Sequence, residues 1–543
     1  MSYEIDDRNL ISMLCDNVHK IVEQELEELK ESFKPPQKMR EYFEHPLDDE
    51  IIGDTGELKQ LIIPTKDKMI AYSNIERLDR LWRTLLNKAI ICLRYFDHRE
   101  PFWGQPNKDI TAYGLDRLCE YHKRYTEFES IMYGASSYYR DHIFHAFRVW
   151  MLGLFCLLVP EDDNKEHFIN KLKLDGGASL PGEISFFEYI SMWTIIALCH
   201  DLGYPLEKSE QILDKTRGMM KEFIPQPNIW NNFRFSGTQD GIHEYILKFI
   251  STRMQPAPKR LEECPKNENE GKPPAEQKEG EETITQPQEG EKEAGPEYVG
   301  RIQPKYYLKY AKSLEQFQHG IISVVIIYKI LLYFLESDFN LNDDYIYKPE
   351  NARQFYIRRE ILRAIASHTC PDAYNVYVTT FSSLLFLCDE LQEWGRKTWN
   401  ELYTGLNETS IDLNIEKFAS NAVEIQESIN MVDVKDEATV LQNICRIFER
   451  QYSLYKTTFR DGQYTSRRDF DLKKTIKIKL SNKDGQTRSI TIKYALLNSE
   501  DSYFRVILSE AGGDKQKYKE ELEEKLKFQM YAKDLDIIEF EIK

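Results

Sequence analysis

The chain has 543 residues, of which 41% are hydrophobic and 30% charged, a globular composition with length for about three domains. Its 72 basic and 90 acidic side chains leave a net charge of −18. That argues against a general nucleic-acid coat or an anionic membrane surface as partner, but not against a small anion held at one local basic or metal site.

At the N-terminus, MSYEIDDRNLISML is acidic and has no basic leader region. The longest apolar stretches, 149–159 and 320–335, are respectively too short to span a bilayer and interrupted by Lys329. A cytoplasmic protein is expected. Residues 1–125 read as a helical region, with apolar residues three and four apart over 21–33 and 74–96. Long apolar helices follow over 137–159 and 186–200, and no alternating strand pattern stands out between 101 and 255. Residues 256–297 hold seven of the 21 prolines, many glutamates and almost no large apolar side chains, so a disordered acidic insertion is expected there. The helical pattern resumes over 298–460. From 470 to 543 it gives way to a small α+β module of βββαβ order. Its strands are expected at 474–480, 489–495 and 503–508, its helix at 515–531 and its last strand at 535–542. Asp484-Gly485 marks a hairpin between the first two strands. Lys477, Lys479 and Lys493 alternate along these strands and read as a solvated face. The nine cysteines form no CxxC pair, and Cys156 and Cys388 lie in apolar runs. They read as buried thiols of a reducing compartment, not a disulfide framework or a thiolate zinc site.

Five of the 11 histidines sit inside apolar helical runs, where an unpaired imidazole is costly. His142 and His145 are three apart in one segment. His200 and Asp201 are adjacent where Gly203 and Pro205 end a helix. His319 opens an apolar helix, His368 closes another, and Asp389 interrupts the apolar run LLFLCDEL. Buried carboxylates among imidazoles need a partner, and mixed His and carboxylate donors suit divalent Mn, Fe, Zn or Mg better than a thiolate-type site.

This ordered set resembles the HD-domain superfamily of metal-dependent phosphohydrolases, over about residues 130–400. In that pattern His145 takes the first position, His200-Asp201 the doublet and Asp389 the distal carboxylate, while His319 and His368 resemble the extra ligands of two-metal members. No subfamily fits throughout: 202–239 holds no histidine, the motif at His368 is Ser-His, not His-His, and the GYP tripeptide stands beside the doublet. The resemblance implies a mainly α HD-domain helical bundle split into 126–255 and 298–460, the second part running on into further helices. It also implies hydrolysis of a phosphoester or phosphoanhydride, in a nucleotide before other substrates, and two divalent ions with Asp201 shared between them. His142 is a candidate acid for the leaving oxygen. Arg148, Lys208, Arg363 and Arg396 are candidate phosphate clamps because they stand near the motifs. The expected partner is a small phosphorylated substrate, with no membrane and no general nucleic-acid binding; a homo-oligomer is compatible. The alternative is a regulatory protein that binds a nucleotide in an HD pocket without cleaving it.

Overall fold

The computed structural model describes residues 3–14, 72–97, 112–135, 140–158, 167–172, 184–224, 238–257, 297–337, 345–370, 379–396, 409–419, 422–432, 471–481, 487–496, 503–509 and 538–542, with a few isolated positions besides. Most of these residues are helical, and the rest form two sheets.

The chain opens with strand β1 (Tyr3–Ile5), then a helical stretch over 7–14 whose first turn is capped by Asp6, accepting from the Asn9 N–H at 2.7 Å. The helical body follows as α1 (Tyr72–Asp97), α2 (Leu115–Ala135), α3 (Ile143–Leu158), α4 (Phe186–Cys199), α5 (Tyr204–Met220) and α6 (Thr238–Ser251). Every residue of α3 is buried. Nearly all of α4 is too, and it packs on both α1 and α3. Three indoles fill this region, each with its N–H satisfied: Trp82 donates to the Leu198 carbonyl, Trp193 to the Trp150 carbonyl and Trp150 to Thr194 Oγ1. Large side chains so buried contribute about 1.5–3 kcal/mol each.

After α6 the chain makes a three-stranded antiparallel sheet from β2 (Thr252–Pro256), β3 (Tyr298–Ile302) and β4 (Ile346–Tyr347). Between β3 and β4 run α7 (Pro304–Glu315), α8 (His319–Ile330) and the single turn α9 (Leu332–Leu335). α10 (Pro349–Ser367) and α11 (Phe381–Leu391) complete the body. The small sheet corrects the all-helical expectation here: strands lie at 252–256, 298–302 and 346–347, too short for a two-residue period to register. Of the acidic insertion expected over 256–297, residues 258–296 lie outside the described residues, whereas Pro256, Ala257 and Glu297 are ordered in or beside the β2–β3 ladder, a correction to that expectation. At its two borders β2 pairs with β3, and the Ala257 N–H donates to the Glu297 carbonyl at 2.7 Å. The residues on either side of the insertion therefore share one hairpin, and the helices before and after it share one core.

The expected module of 470–543 is part of a larger mixed sheet, ordered β1-β5-β6-β7-β8-β9-β10. Its added strands are β5 (Thr409–Phe418), β6 (Ala422–Val432), β7 (Asp471–Ser481), β8 (Thr487–Leu496), β9 (Tyr503–Ser509) and β10 (Ile538–Ile542). Four of these lie where the alternation places them. β5 and β6 correct the reading of 298–460 as helical throughout, and β1 comes from the region expected to be helical. The expected helix at 515–531 lies outside the described residues except Glu520 and Glu524, both helical. On β7, Leu472, Lys474, Ile476 and Ile478 are buried while Lys473, Lys477 and Lys479 are exposed, as is Lys493 on β8. The inner face carries one buried ion pair, Lys474 to Glu427 at 2.7 Å. Tyr3 packs edge-on against Phe155 of α3, and Phe418 against Phe168, joining this sheet to the helices. No helix among the described residues is long and apolar enough to cross a membrane.

Candidate metal centre

The site is assembled from helix ends. α4 starts at a capping box in which Ser185 and Glu188 bond reciprocally. Glu188 is also bound by Arg353 of α10 at 2.6 Å, which fixes α4 against α10. At its far end α4 delivers His200 and Asp201. α10 delivers His368 at its C-cap, and α8 begins at His319. Ser323 of α8 staples the doublet: its hydroxyl donates to the His200 carbonyl at 2.7 Å and accepts from the Gly203 N–H at 2.8 Å. α3 supplies His145 in its first turn, and α11 supplies Asp389 in its last.

These six side chains, dispersed over 245 positions of sequence, meet. His145 Nε2 lies 2.7 Å from Asp389 Oδ1, and His200 Nε2 is 3.7 Å from the same oxygen. Asp201 divides its oxygens. Oδ2 lies 3.3 Å from His200 Nε2 and 3.8 Å from His145 Nε2, while Oδ1 lies 3.2 Å from His319 Nε2 and 3.7 Å from His368 Nε2. Ligands bonded at about 2.0–2.2 Å to one cation stand roughly 3–3.6 Å apart, close to these spacings.

Tautomers agree with that use. His200 Nδ1 donates to the Ala197 carbonyl at 2.8 Å and His368 Nδ1 to the Ile365 carbonyl at 2.6 Å. Both Nε2 atoms therefore point inward, and both are buried without a hydrogen-bond partner. Two such orphans are expensive unless something binds them. His145, His200 and Asp389 form one group able to hold a cation, and His200, Asp201 and His368 another. The donor set is nitrogen and carboxylate oxygen, fitting a borderline divalent ion. The six cysteines described are free, and none joins either group.

Protonation follows from burial against charge. Burial opposes a charged His200, but Asp201 and then Asp389 outweigh it and hold the imidazolium up to about 10. At His319 burial is likewise outweighed, by Asp201 and Glu207, which hold it up to about 9. His145 is pushed down by burial and then by Arg396, and His368 is pushed down by burial. Asp201 and Asp389 are held well below the usual carboxylate range: burial opposes ionisation, but the histidines around them prevail.

The sequence pattern does not mark several supports. Glu207 accepts from both the ring Nδ1 of His319, at 2.7 Å, and its backbone N–H, at 2.9 Å. Gln392 accepts from His145 Nδ1 at 2.5 Å. Both orient ligands through the far ring nitrogen, the usual arrangement around metal-bound histidine. Their only signal is spacing: Gln392 follows Asp389 by three residues, and Glu207 lies on the helix that opens three residues past Asp201.

The remaining candidates separate. His142 stands before the first turn of α3, stacked on the Tyr204 ring at 3.8 Å, and belongs to neither ligand group. Burial, then Arg396, pushes its imidazole well below the usual range. Arg148 binds both carboxylate oxygens of Asp7 at 3.0 Å. Arg363 lies over the Tyr306 ring at 4.2 Å. Lys208 is 2.6 Å from Glu207 and 5.1 Å from the Tyr204 ring centre, at the partly exposed side of the site. Arg396, nine-tenths buried, donates to the Asp141 carbonyl and acts electrostatically on His142 and His145. Arg140, unmarked in the sequence, pairs with Glu393 beside it. The ligand floor is closed: His145, His200 and His368 are almost fully buried. Asp389 is 26% exposed and His319 19%, and solvent reaches the cluster there.

Compared with models of protein families, with characterised proteins and with solved structures, the chain matches none.

Proposed function

We propose that the chain is a metal-dependent phosphohydrolase of the HD-domain kind, cleaving a phosphoester or phosphoanhydride, most specifically in a nucleotide. The observation that carries this reading is the division of Asp201, one oxygen toward each of two histidine pairs, above two buried Nε2 atoms with no other partner. His145, His200, Asp201 and Asp389 would hold one divalent ion, and His319 and His368, with Asp201 shared, a second. Such ions supply an acidified water as nucleophile and offset charge on a phosphoryl group.

The chain's own contributions are positional and electrostatic. Gln392 and Glu207 aim His145 and His319. Lys208, partly exposed beside Glu207, and Arg396, buried but acting on His142 and His145, put positive charge near the cluster, where an anionic substrate in a protein of charge −18 needs it. His142 and Tyr204 stack on one another, and the Tyr204 ring stands 5.4 Å from that of His319. Arg148, committed to Asp7, is not needed as a clamp.

Two measurements test the reading: metal content after purification without chelator, and phosphate release across a panel of nucleoside mono-, di- and triphosphates and cyclic nucleotides with added Mn. Asp201→Ala should remove both ions and reduce turnover by at least 1,000-fold (~4 kcal/mol of barrier) while far-UV circular dichroism keeps its helical signal. Near-wild-type turnover in that variant would end the metal mechanism. Bound metal with nucleotide binding but no phosphate release would favour the regulatory alternative.

A further inference from the structure

Asp7 ties the start of the chain to the helical body. It follows β1, which pairs with β5 at the edge of the large sheet, Tyr3 opposite Ile415. Its carboxylate is 13% exposed and accepts from three N–H donors. Arg148 of α3 donates Nε to Oδ1 and Nη2 to Oδ2, each at 3.0 Å, and the Trp394 indole N–H donates to Oδ1 at 2.8 Å.

Trp394 belongs to the short strap after α11. Gly395 there has φ +70°, in the left-handed region. A Cβ on Gly395 would stand 2.8 Å from the Arg148 guanidinium, so the strap, Arg148 and Asp7 form one packed unit. The strap leads back to the cluster. The Trp394 carbonyl accepts from Gln392 Nε2 at 2.8 Å. That bond decides which way the Gln392 amide faces: its NH2 must point to Trp394, so its oxygen points to His145 Nδ1. An amide oxygen only accepts. His145 Nδ1 therefore carries a proton, and Nε2, 2.7 Å from Asp389 Oδ1, faces the cluster.

The geometry points to Asp7 as a positioning residue that sets the tautomer and aim of His145 through Trp394 and Gln392, making the site depend on the docked N-terminal strand of the terminal sheet. His200 and His368 are set differently, each by a carbonyl of its own helix, and are independent of this chain of contacts. The functional meaning rests on the metal-site reading above; the tautomer itself does not.

The test uses the full-length protein labelled with ¹⁵N-histidine, wild type against Asp7→Ala and Trp394→Phe. The second variant keeps the Asp7–Arg148 pair and removes only the indole bond, so it remains informative where Asp7→Ala fails to fold. In the metal-free wild type, His145 Nδ1 should carry a proton. In both variants the Nδ1 signal should move toward its unprotonated position, while the signals of His200 and His368 stay. In a metal titration the tighter class of sites should weaken by about ten-fold, the lower end for loss of an outer-sphere partner, and Asp7→Asn should fall between. Unchanged His145 signals in both variants overturn the proposal. So does a common shift of all three histidines, which would mean general loosening. A wild type that takes up no cation would sink the function proposed above and leave the tautomer comparison to decide this inference by itself.

Discussion

At the scale of single residues, charge in the ligand cluster is balanced by protons until a cation replaces them. His200 and His319 have folded pKa values of about 10 and about 9, above the ordinary 6.5, because carboxylates outweigh the cost of burial. A raised pKa means the folded state binds the proton more tightly than the unfolded chain. That stabilisation is full below pH 6.5 and is lost as pH rises through 9 to 10. Asp201 and Asp389 act on the other side, with folded values below 3.8, so their contribution is lost only in strong acid. Melting temperature of chelator-treated protein should therefore decline from pH 6.5 to 10. Protein loaded with a divalent ion should decline far less, because the ion has displaced those protons. Parallel declines in calorimetry of the two forms would show that no ion takes the protons' place. The six residues that meet in the cluster could be singled out in the sequence because each is a polar group set in an apolar run, where only a partner makes burial tolerable. Glu207, Gln392 and Asp7 could not: Glu207 and Asp7 sit in charged stretches that read as surface, and a glutamine after a helix carries no chemical signature of its own.

At the scale of elements, the site depends on how closely α8 approaches α10. Gly320, second residue of α8, makes this approach possible. A Cβ there would meet Thr369 Oγ1 at 2.5 Å, the Ile365 carbonyl at 2.7 Å and the His368 ring at 3.0 Å. The Gly320 N–H also bonds Thr369 Oγ1 at 3.1 Å. Gly320→Ala must push the helices apart just where His319 and His368 face one another, their ring centres 5.0 Å apart. We expect a cost of about 1–3 kcal/mol, read as a lower urea midpoint, with loss of the ion held by His319 and His368 and retention of the one held by His145, His200 and Asp389. Equal loss of both would mean that the two halves are not separately organised. The helices themselves were legible because α3, α4 and α8 are long and apolar; β5 and β6 were not. β5 alternates Ile411, Leu413, Ile415, but its register with β6 shifts after Ile415. On β6 the inner-face sequence Val423, Ile425, Ile429 is broken by the buried Glu427, whose partner Lys474 lies on β7. The buried ion pair thus takes from β6 the alternation that would have identified it, whereas β7 keeps Ile476 and Ile478 inside and Lys477 and Lys479 outside.

At the scale of the molecule, the acidic stretch 258–296 is the longest piece of chain with almost nothing to bury, and its borders show how it is attached. β2 and β3 pair over five residue positions, from Thr252 opposite Ile302 to Pro256 opposite Tyr298, and Ala257 and Glu297 close the ladder by a backbone bond. On their inner side Tyr356 donates to the Met254 carbonyl and Arg359 to the Thr252 carbonyl, so α10 grips β2 directly. α10 thus anchors the hairpin through contacts of its own. Joining 257 to 297 through a four-residue Gly-containing turn should be neutral or stabilising. Closing a loop costs about 0.6 kcal/mol more for each doubling of length, so shortening one of 39 residues to about four removes roughly 2 kcal/mol of closure entropy. The shortened protein should melt at the same temperature or a few degrees higher, bind the same number of ions and keep the circular dichroism of the parent after subtraction of the missing residues. A drop in melting temperature, or loss of metal, would show that the stretch supports the helical body. The motif order would then have to be read across two separately stabilised units, with His200 and Asp201 in one and His319, His368 and Asp389 in the other.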